Sequence, residues 1–338
     1  MKNLFIGVDF SKEKVDVAII FADGLTETAP RVFNEFKTTV SGYKQLVKWV
    51  EQNSYGIDSS LWLFCGENTG DYSKGLCNFI YGKGYDMWLE NAKSIKDASG
   101  LRRLKSDRAD ASMIAEYAMR NYDKAVMYEP LSESLAQLRE LFLYRQMVVR
   151  HRCSFQVRRG EKKLTMEKSP IKMMISQSGR HIVSELNKEI EKIDKRIAEL
   201  IKSDEELTEV FTIVTSVPGI GTQNAVCLMV YTDNFRRFNY DSRKISCYYG
   251  IAPFGKDSGT SVHSDPHVHY MANRQIKAML TQAAVNFNPV MARYYMRLVE
   301  RGKKKQVALN NVKNKLVHLV TAMVRNRQTF TPEYKISA

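Results

Sequence analysis

The sequence predicts an α/β domain followed by an all-α remainder, and three observations lead to that fold class. Short apolar runs alternate with helical patterns up to about residue 125. The stretch from Leu131 to Phe211 reads as long helices, and the remainder reads as apolar helices broken by glycine turns. The expected domains are therefore 1–125, a basic helical segment 126–211, and a C-terminal domain 212–338.

Residues 3–9 and 15–21 are apolar runs joined by the polar link Phe10–Lys14, the pattern of a hairpin. A third strand is expected near Val32–Thr38, and a helix from Ser41 that spaces Tyr43, Leu46, Val47 and Val50 along one face. Leu61–Cys65 reads as a strand running into Gly66-Glu67. A helix Asp71–Tyr81 and a strand Tyr85–Leu89 follow. A hairpin followed by alternating helices and strands implies a mixed sheet covered by helices. Ser106 is the expected N-cap of a helix over 106–120.

From Leu131 to about Lys163 the pattern is helical and basic. Leu186, Ile190, Ile193, Ile197 and Leu200 then form a heptad seam. That seam suits either an antiparallel hairpin with 131–163 or a dimer interface. Val217-Pro218-Gly219-Ile220-Gly221 has the form of a helix-hairpin-helix turn, with free amides at the next helix start for a phosphate. Gly250–Gly259 reads as a turn-rich loop, and a helix is expected over Ala272–Ala284. His263, His267 and His269 lack the spacing of a zinc site and read as surface histidines.

The 51 Lys and Arg against 37 Asp and Glu leave a net charge of +14, which favours a polyanionic partner. Arg301–Gln328 carries basic residues and no Asp or Glu. No apolar run has transmembrane length, the N-terminus is unlike a signal peptide, and the five cysteines form no C-x-x-C pair. A cytoplasmic protein with no membrane partner and no disulfide framework is expected.

Four carboxylates stand out by position. Asp9 and Glu67 end strands, while Asp107 and Asp110 share one helix face. Strand ends and a neighbouring helix can converge on one cleft, where Mg2+ or Mn2+ would relieve the repulsion and assist phosphodiester cleavage. Each acid taken singly also suits a turn or a first helical turn.

Gly7-Val8-Asp9-Phe10-Ser11-Lys12, Glu67-Asn68-Thr69-Gly70-Asp71-Tyr72 and Lys105-Ser106-Asp107-Arg108-Ala109-Asp110-Ala111 together resemble the three acidic blocks of the DEDD transposases of the insertion-sequence 110 family, which includes the Piv-type DNA invertases. The resemblance implies a ribonuclease-H-like (RuvC-like) domain with Asp9, Glu67, Asp107 and Asp110 as metal ligands. The Gly250–Gly259 segment is similar to the family's second conserved region, which implies that Ser258 is a nucleophile attaching covalently to DNA. The block Tyr270–Lys277 keeps Asn273 and a basic Lys277 but has Ala272 where the family has Gly. The resemblance also implies donor and target DNA, a structured element-encoded guide RNA, and a homodimer or homotetramer in a bacterial or archaeal cell.

The expected nucleic-acid contacts are Lys12, Lys105, Arg108, Arg145, Arg152, Arg158, Arg159, Gly219, Gly221, Asn273, Lys277, Lys303, Lys304 and Lys305. Three other readings compete with the recombinase. One is a metal-only junction-resolving nuclease in which Ser258 is structural. Another is a sugar-kinase or actin-like ATPase, which lacks here a second Asp-x-Gly phosphate block. The last is a non-catalytic nucleic-acid-binding protein.

Overall fold

The computed structural model describes residues 2–22, 32–98, 100, 106–164, 169–258, 262–268, 273–286 and 289–331; the side chains of 157–164, 255–258, 262–267 and 289–290 lie outside that description. The chain divides into two compact units, Met1–Pro130 and Leu131–Ala338.

The first unit opens with β1 (Leu4–Phe10), β2 (Lys14–Phe21) and β3 (Val32–Lys37). Helix α1 (Val40–Gln52), β4 (Trp62–Glu67), α2 (Asp71–Gly82) and β5 (Met87–Glu90) follow. The unit closes with α3 (Ala92–Ala98), which the sequence analysis had not assigned, and α4 (Asp107–Asn121). The strands form one mixed sheet in the order β3-β2-β1-β4-β5. β2 is antiparallel to β1 and β3, while β4 runs parallel to β1 and β5.

Side chains alternate between the faces of a strand, and this sorts the core. Leu4, Ile6, Val8 and Phe10 join Tyr43, Leu46 and Leu76 of α1 and α2 on one face. Phe5, Leu63, Cys65 and Trp88 join Ile114 and Ala118 of α4 on the other. Gly7 belongs to the α4 face. A Cβ built there would lie 2.2 Å from the Ala111 carbonyl oxygen and 2.4 Å from the Ala115 amide nitrogen. The missing side chain is what lets α4 close on β1. Gly7→Ala is therefore expected to cost about 3 kcal/mol by overpacking against immovable backbone, measured as a lower urea midpoint.

Ser106 caps α4 as expected, its hydroxyl accepting from the Ala109 amide at 3.2 Å. Thr39 does the same for α1.

The second unit contains α5 (Glu133–Leu164), α6 (Pro170–Ser203), α7 (Glu205–Thr215), α8 (Thr222–Thr232) and α9 (Ser242–Tyr248). A hairpin of β6 (Pro253–Ser258) and β7 (Val262–Val268) precedes α10 (Arg274–Val285), α11 (Pro289–Glu300) and α12 (Lys305–Asn326). Arg145 binds Asp194 while Arg152 binds Asn187, so α5 and α6 run antiparallel. The heptad residues Ile190, Ile193, Ile197 and Leu200 are buried in one core with Leu135, Leu138 and Phe142 of α5. Of the two uses open to the seam, the chain makes the internal hairpin.

Gly250–Gly259 is not wholly a loop. Its second half is β6, with Phe254 opposite His267 and Lys256 opposite Ser264, the register shifting between them. Gly255 faces the Asp265-Pro266 step there, and a proline has no N–H for a ladder. Weak strand propensity and a proline hid this hairpin from a pattern reading.

Candidate active site

The pleat and the strand order together put one acid from every strand on the same line. Glu35 of β3 is the register partner of Asp16 of β2, and Asp16 is the partner of Asp9 of β1. Val8 pairs with Gly66, which sets Asp9 beside Glu67 of β4, and Glu67 pairs with Glu90 of β5. Asp9 shares its face with Gly7, the side covered by α4, whose first turn carries Asp107 and Asp110. Like charges on directly opposed strand positions repel, so a row of five requires compensation.

Compensation exists at both ends of the row. The Lys14 ammonium lies 3.1 Å from each of Asp16 Oδ1, Glu35 Oε2 and Asp107 Oδ2. These carboxylates hold the Lys14 pKa well above the usual lysine range. At the other end Glu90 accepts from the Asn91 amide at 2.7 Å and from the Tyr117 hydroxyl, whose pKa is pushed up to about 12, chiefly by burial and then by Glu90. In the centre, Asp9 and Glu67 accept no hydrogen bond among the described residues. Burial first, and then Asp110, Asp16, Glu67 and Asp107, push the Asp9 pKa up to about 6.

The structure thus brings Asp9, Glu67, Asp107 and Asp110 to one face, as expected. Sequence analysis missed Asp16, only 2% exposed, together with Glu35, Glu90 and the bridging Lys14. Asp16 was visible as an acid inside the apolar run Val15-Asp16-Val17. Among the described residues no three acidic, His or Cys side chains already stand ready to share one ion. The donor chemistry still fits a hard divalent cation: oxygen ligands only, and a central carboxyl raised by its neighbours. Of the four acids expected to bind metal, Asp107 is the one that Lys14 holds.

The chain matches a transposase family profile of the DEDD insertion-sequence 110 type over residues 6–164. It also matches the profile described as "Transposase IS116/IS110/IS902 family" over residues 212–296. The chain belongs to this transposase family. The "Pilin gene-inverting protein" of Moraxella bovis is 23% identical over 341 residues, covering 98% of each chain. The "Insertion element IS110 uncharacterized 43.6 kDa protein" of Streptomyces coelicolor is 32% identical over 117 residues, 34% of this chain and 28% of that protein. T. thermophilus RuvC in complex with a Holliday junction substrate overlaps 37% of this chain and 99% of that one, at a TM-score of 0.27 and 11% identity, too slight to bear on fold or function. The family makes the protein a DNA-recombining enzyme, and its partner is DNA. No helix among the described residues is long and apolar enough to cross a membrane.

In this transposase several residues expected to touch nucleic acid are engaged elsewhere. The Arg145 guanidinium grips Asp194 with two bonds, Nε at 2.6 Å and Nη2 at 3.0 Å, and Gln223 donates to the same carboxylate. Asp194 of α6 thereby holds Arg145 of α5 and Gln223 of α8 together. Arg152 reaches Asn187 at 3.3 Å across the hairpin. Gly219, at φ 89°, faces protein, since a Cβ there would lie 2.9 Å from the Ala283 carbonyl of α10. Gly221, with nothing within 4 Å of its would-be Cβ, stays open at the start of α8.

Asn273 caps α10 through bonds from the Gln275 and Ile276 amides. The helix start is intact despite Ala272. Arg108 lies over the Phe33 ring, 5.6 Å from its centroid. Lys12, Lys303, Lys304 and Lys305 are exposed, as nucleic-acid contacts must be. Ser258 is the last residue of β6 and pairs with Val262. The side chains of Ser258, Arg158, Arg159, His263 and His267 are not described, and Lys105 and His269 fall outside the described residues.

Lys14→Met is expected to lower the thermal midpoint of the metal-free transposase by exposing Asp16, Glu35 and Asp107 to one another. Mg2+ should then restore more of the midpoint in the variant than in wild type. Unfolding curves in chelator and in Mg2+ provide the check.

Proposed function

We propose that this transposase cuts and rejoins DNA with a RuvC-like carboxylate centre and a serine nucleophile. The observation that carries the centre is the uncompensated middle of the acid row: among the described residues Asp9 and Glu67 accept no hydrogen bond, while Lys14 pairs with Asp16 and Glu35 on one flank and Glu90 accepts from the Asn91 amide and the Tyr117 hydroxyl on the other. The strand order β3-β2-β1-β4-β5, an antiparallel trio extended by two parallel strands, supports a ribonuclease-H-like fold for the first unit. Asp9, Glu67, Asp107 and Asp110 would hold Mg2+ or Mn2+, with Asp107 turning from Lys14 to do so. A divalent ion bound there would polarise the scissile phosphate and favour ionisation of the attacking hydroxyl.

Ser258 Oγ would attack the phosphorus of one DNA strand. The P–O bond to the leaving strand breaks as the serine–phosphorus bond forms, and the serine proton ends on the released hydroxyl. Rejoining reverses the step, with a hydroxyl of another strand displacing Ser258. Ser258 and the carboxylates must serve the same phosphodiester, within one chain or between copies. The remaining divisions of labour follow the domain expectation: 1–125 catalytic, 126–211 helical, 212–338 carrying Ser258.

A structured guide RNA would choose the donor and target sites, for which the +14 charge supplies general affinity but no selectivity. The working unit is a dimer or tetramer in a bacterial or archaeal cytoplasm. The exposed Ile171, Met173 and Met174 at the start of α6, each more than 60% accessible, support self-association. Incubating the transposase with element-junction DNA, RNA and Mg2+ and then denaturing tests the reading. A denaturant-resistant protein–DNA adduct mapping to Ser258 is expected. Strand exchange with no adduct at any stage would point instead to a metal-only nuclease.

A further inference from the structure

Lys14 places an ammonium inside the acid row, and its hydrogen-bonding capacity is matched to what it meets. An ammonium has three N–H donors. They face three carboxylate oxygens, Asp16 Oδ1, Glu35 Oε2 and Asp107 Oδ2, each at 3.1 Å. The backbone fixes this charge in place. Ser11 donates to the Lys14 carbonyl from its amide at 3.0 Å and from its hydroxyl at 2.7 Å, closing the turn between β1 and β2. Lys14 and Asp16 stand two apart on β2 and share a face, and Glu35 of β3 is the register partner of Asp16.

Asp16 makes the arrangement more than a surface ion pair. It is 2% exposed, while the side chains of Glu35 and Asp107 are each 63% exposed. A buried carboxylate needs a cation held against it, and among the described residues Lys14 is the cation bonded to Asp16. The distances set ammonium against metal. The oxygens stand 3.1 Å from Lys14, whereas a Mg2+ shell draws its ligands in to about 2.0–2.1 Å. An acid trio can serve the ammonium or a divalent ion but not both, and a second positive charge beside Lys14 is repelled.

We propose that Lys14 is a positioning residue that acts as a resident cation, withholds Asp16 and Glu35 from metal, and so limits the carboxylate centre to one divalent ion. The inference rests on the carboxylate centre proposed above and adds what sets its ligands and its stoichiometry. As Asp107 turns to the ion, Lys14 keeps Asp16 and Glu35, and the ligand set stays Asp9, Glu67, Asp107 and Asp110. Without the ammonium, Asp16, Glu35 and Asp107 form a second cluster of hard oxygen donors with no cation of its own, which draws in a second ion.

The test titrates full-length transposase, without DNA, with Mn2+ in moderate salt, and reads free Mn2+ by its electron paramagnetic resonance signal. Wild type should bind one ion per chain. Lys14→Met, which keeps the length of the side chain and loses its charge, should bind two. Lys14→Arg restores a cation and should return the count to one, as should Asp16→Asn added to Lys14→Met. A lysine that only supports the fold would change stability without changing the count or giving either reversal. Two ions on wild type, on Lys14→Arg or on the double variant, or one on Lys14→Met, overturn the inference and leave the carboxylate centre standing. No ion on wild type overturns the centre, and the inference with it. If Lys14→Met does not fold, Lys14→Gln is counted in its place by the same criteria.

Discussion

Asp9→Asn is expected to abolish strand cleavage, by about a thousandfold or more, while making the metal-free protein more stable. The loss follows if Asp9 is the central charged ligand of the proposed site, where the transition state gathers negative charge. The gain follows from the repulsion already present. Asp9 is an acid whose folded-state pKa is raised, to about 6, by burial and by Asp110, Asp16, Glu67 and Asp107. Below about pH 4 it is protonated in folded and unfolded chains alike and contributes nothing. As pH rises from about 4 to 6 the unfolded chain ionises first, so stability falls; above about 6 the penalty is constant at about 3 kcal/mol. Asn carries no charge and should remove that slope. Urea unfolding at pH 5 and pH 7.5 in chelator, alongside a Mg2+-dependent cleavage assay, checks both halves. Lower stability of the variant at pH 7.5 would contradict the electrostatic account of the row.

Ser258→Ala is expected to eliminate both the covalent adduct and recombination, on the order of a thousandfold or more, because nothing replaces the attacking oxygen. DNA affinity should stay within about twofold, since one neutral hydroxyl contributes little beside many phosphate contacts. Ser258 is the last residue of β6 and pairs with Val262 through its backbone, which the substitution leaves unchanged, so the β6–β7 register stays intact. Gel analysis of denatured reactions detects the adduct, and product sequencing detects exchange. Full strand exchange by Ser258→Ala protein would remove the serine from the mechanism and leave the carboxylates alone responsible.

Much of the first unit was legible because its central strands are short, closely spaced apolar runs. The hairpin, the strands ending in Glu67 and near Leu89, and the Ser106 cap all follow from pattern and capping chemistry. The four expected acids could be found because each stands where a strand or helix begins or ends. Asp16, Glu35, Glu90 and Lys14 could not be grouped with them, since their proximity is a product of register, which no local pattern encodes. The same limit explains Arg145: its charge suggested a phosphate, but its partner Asp194 lies 49 residues away on the returning helix. The β6–β7 hairpin stayed hidden because Gly255 and Pro266 disguise strands as turns.

The α5–α6 hairpin leaves the body of the second unit and comes back beside its point of departure. With 32 residues in α5, the outgoing arm spans about 48 Å at 1.5 Å per residue. Removing matched heptads from both arms would shorten this projection while the Arg145–Asp194 anchor near its root stays in place. Arm length is thereby uncoupled from the rest of the architecture, and evolution can adjust how far such an enzyme reaches without rebuilding its chemistry.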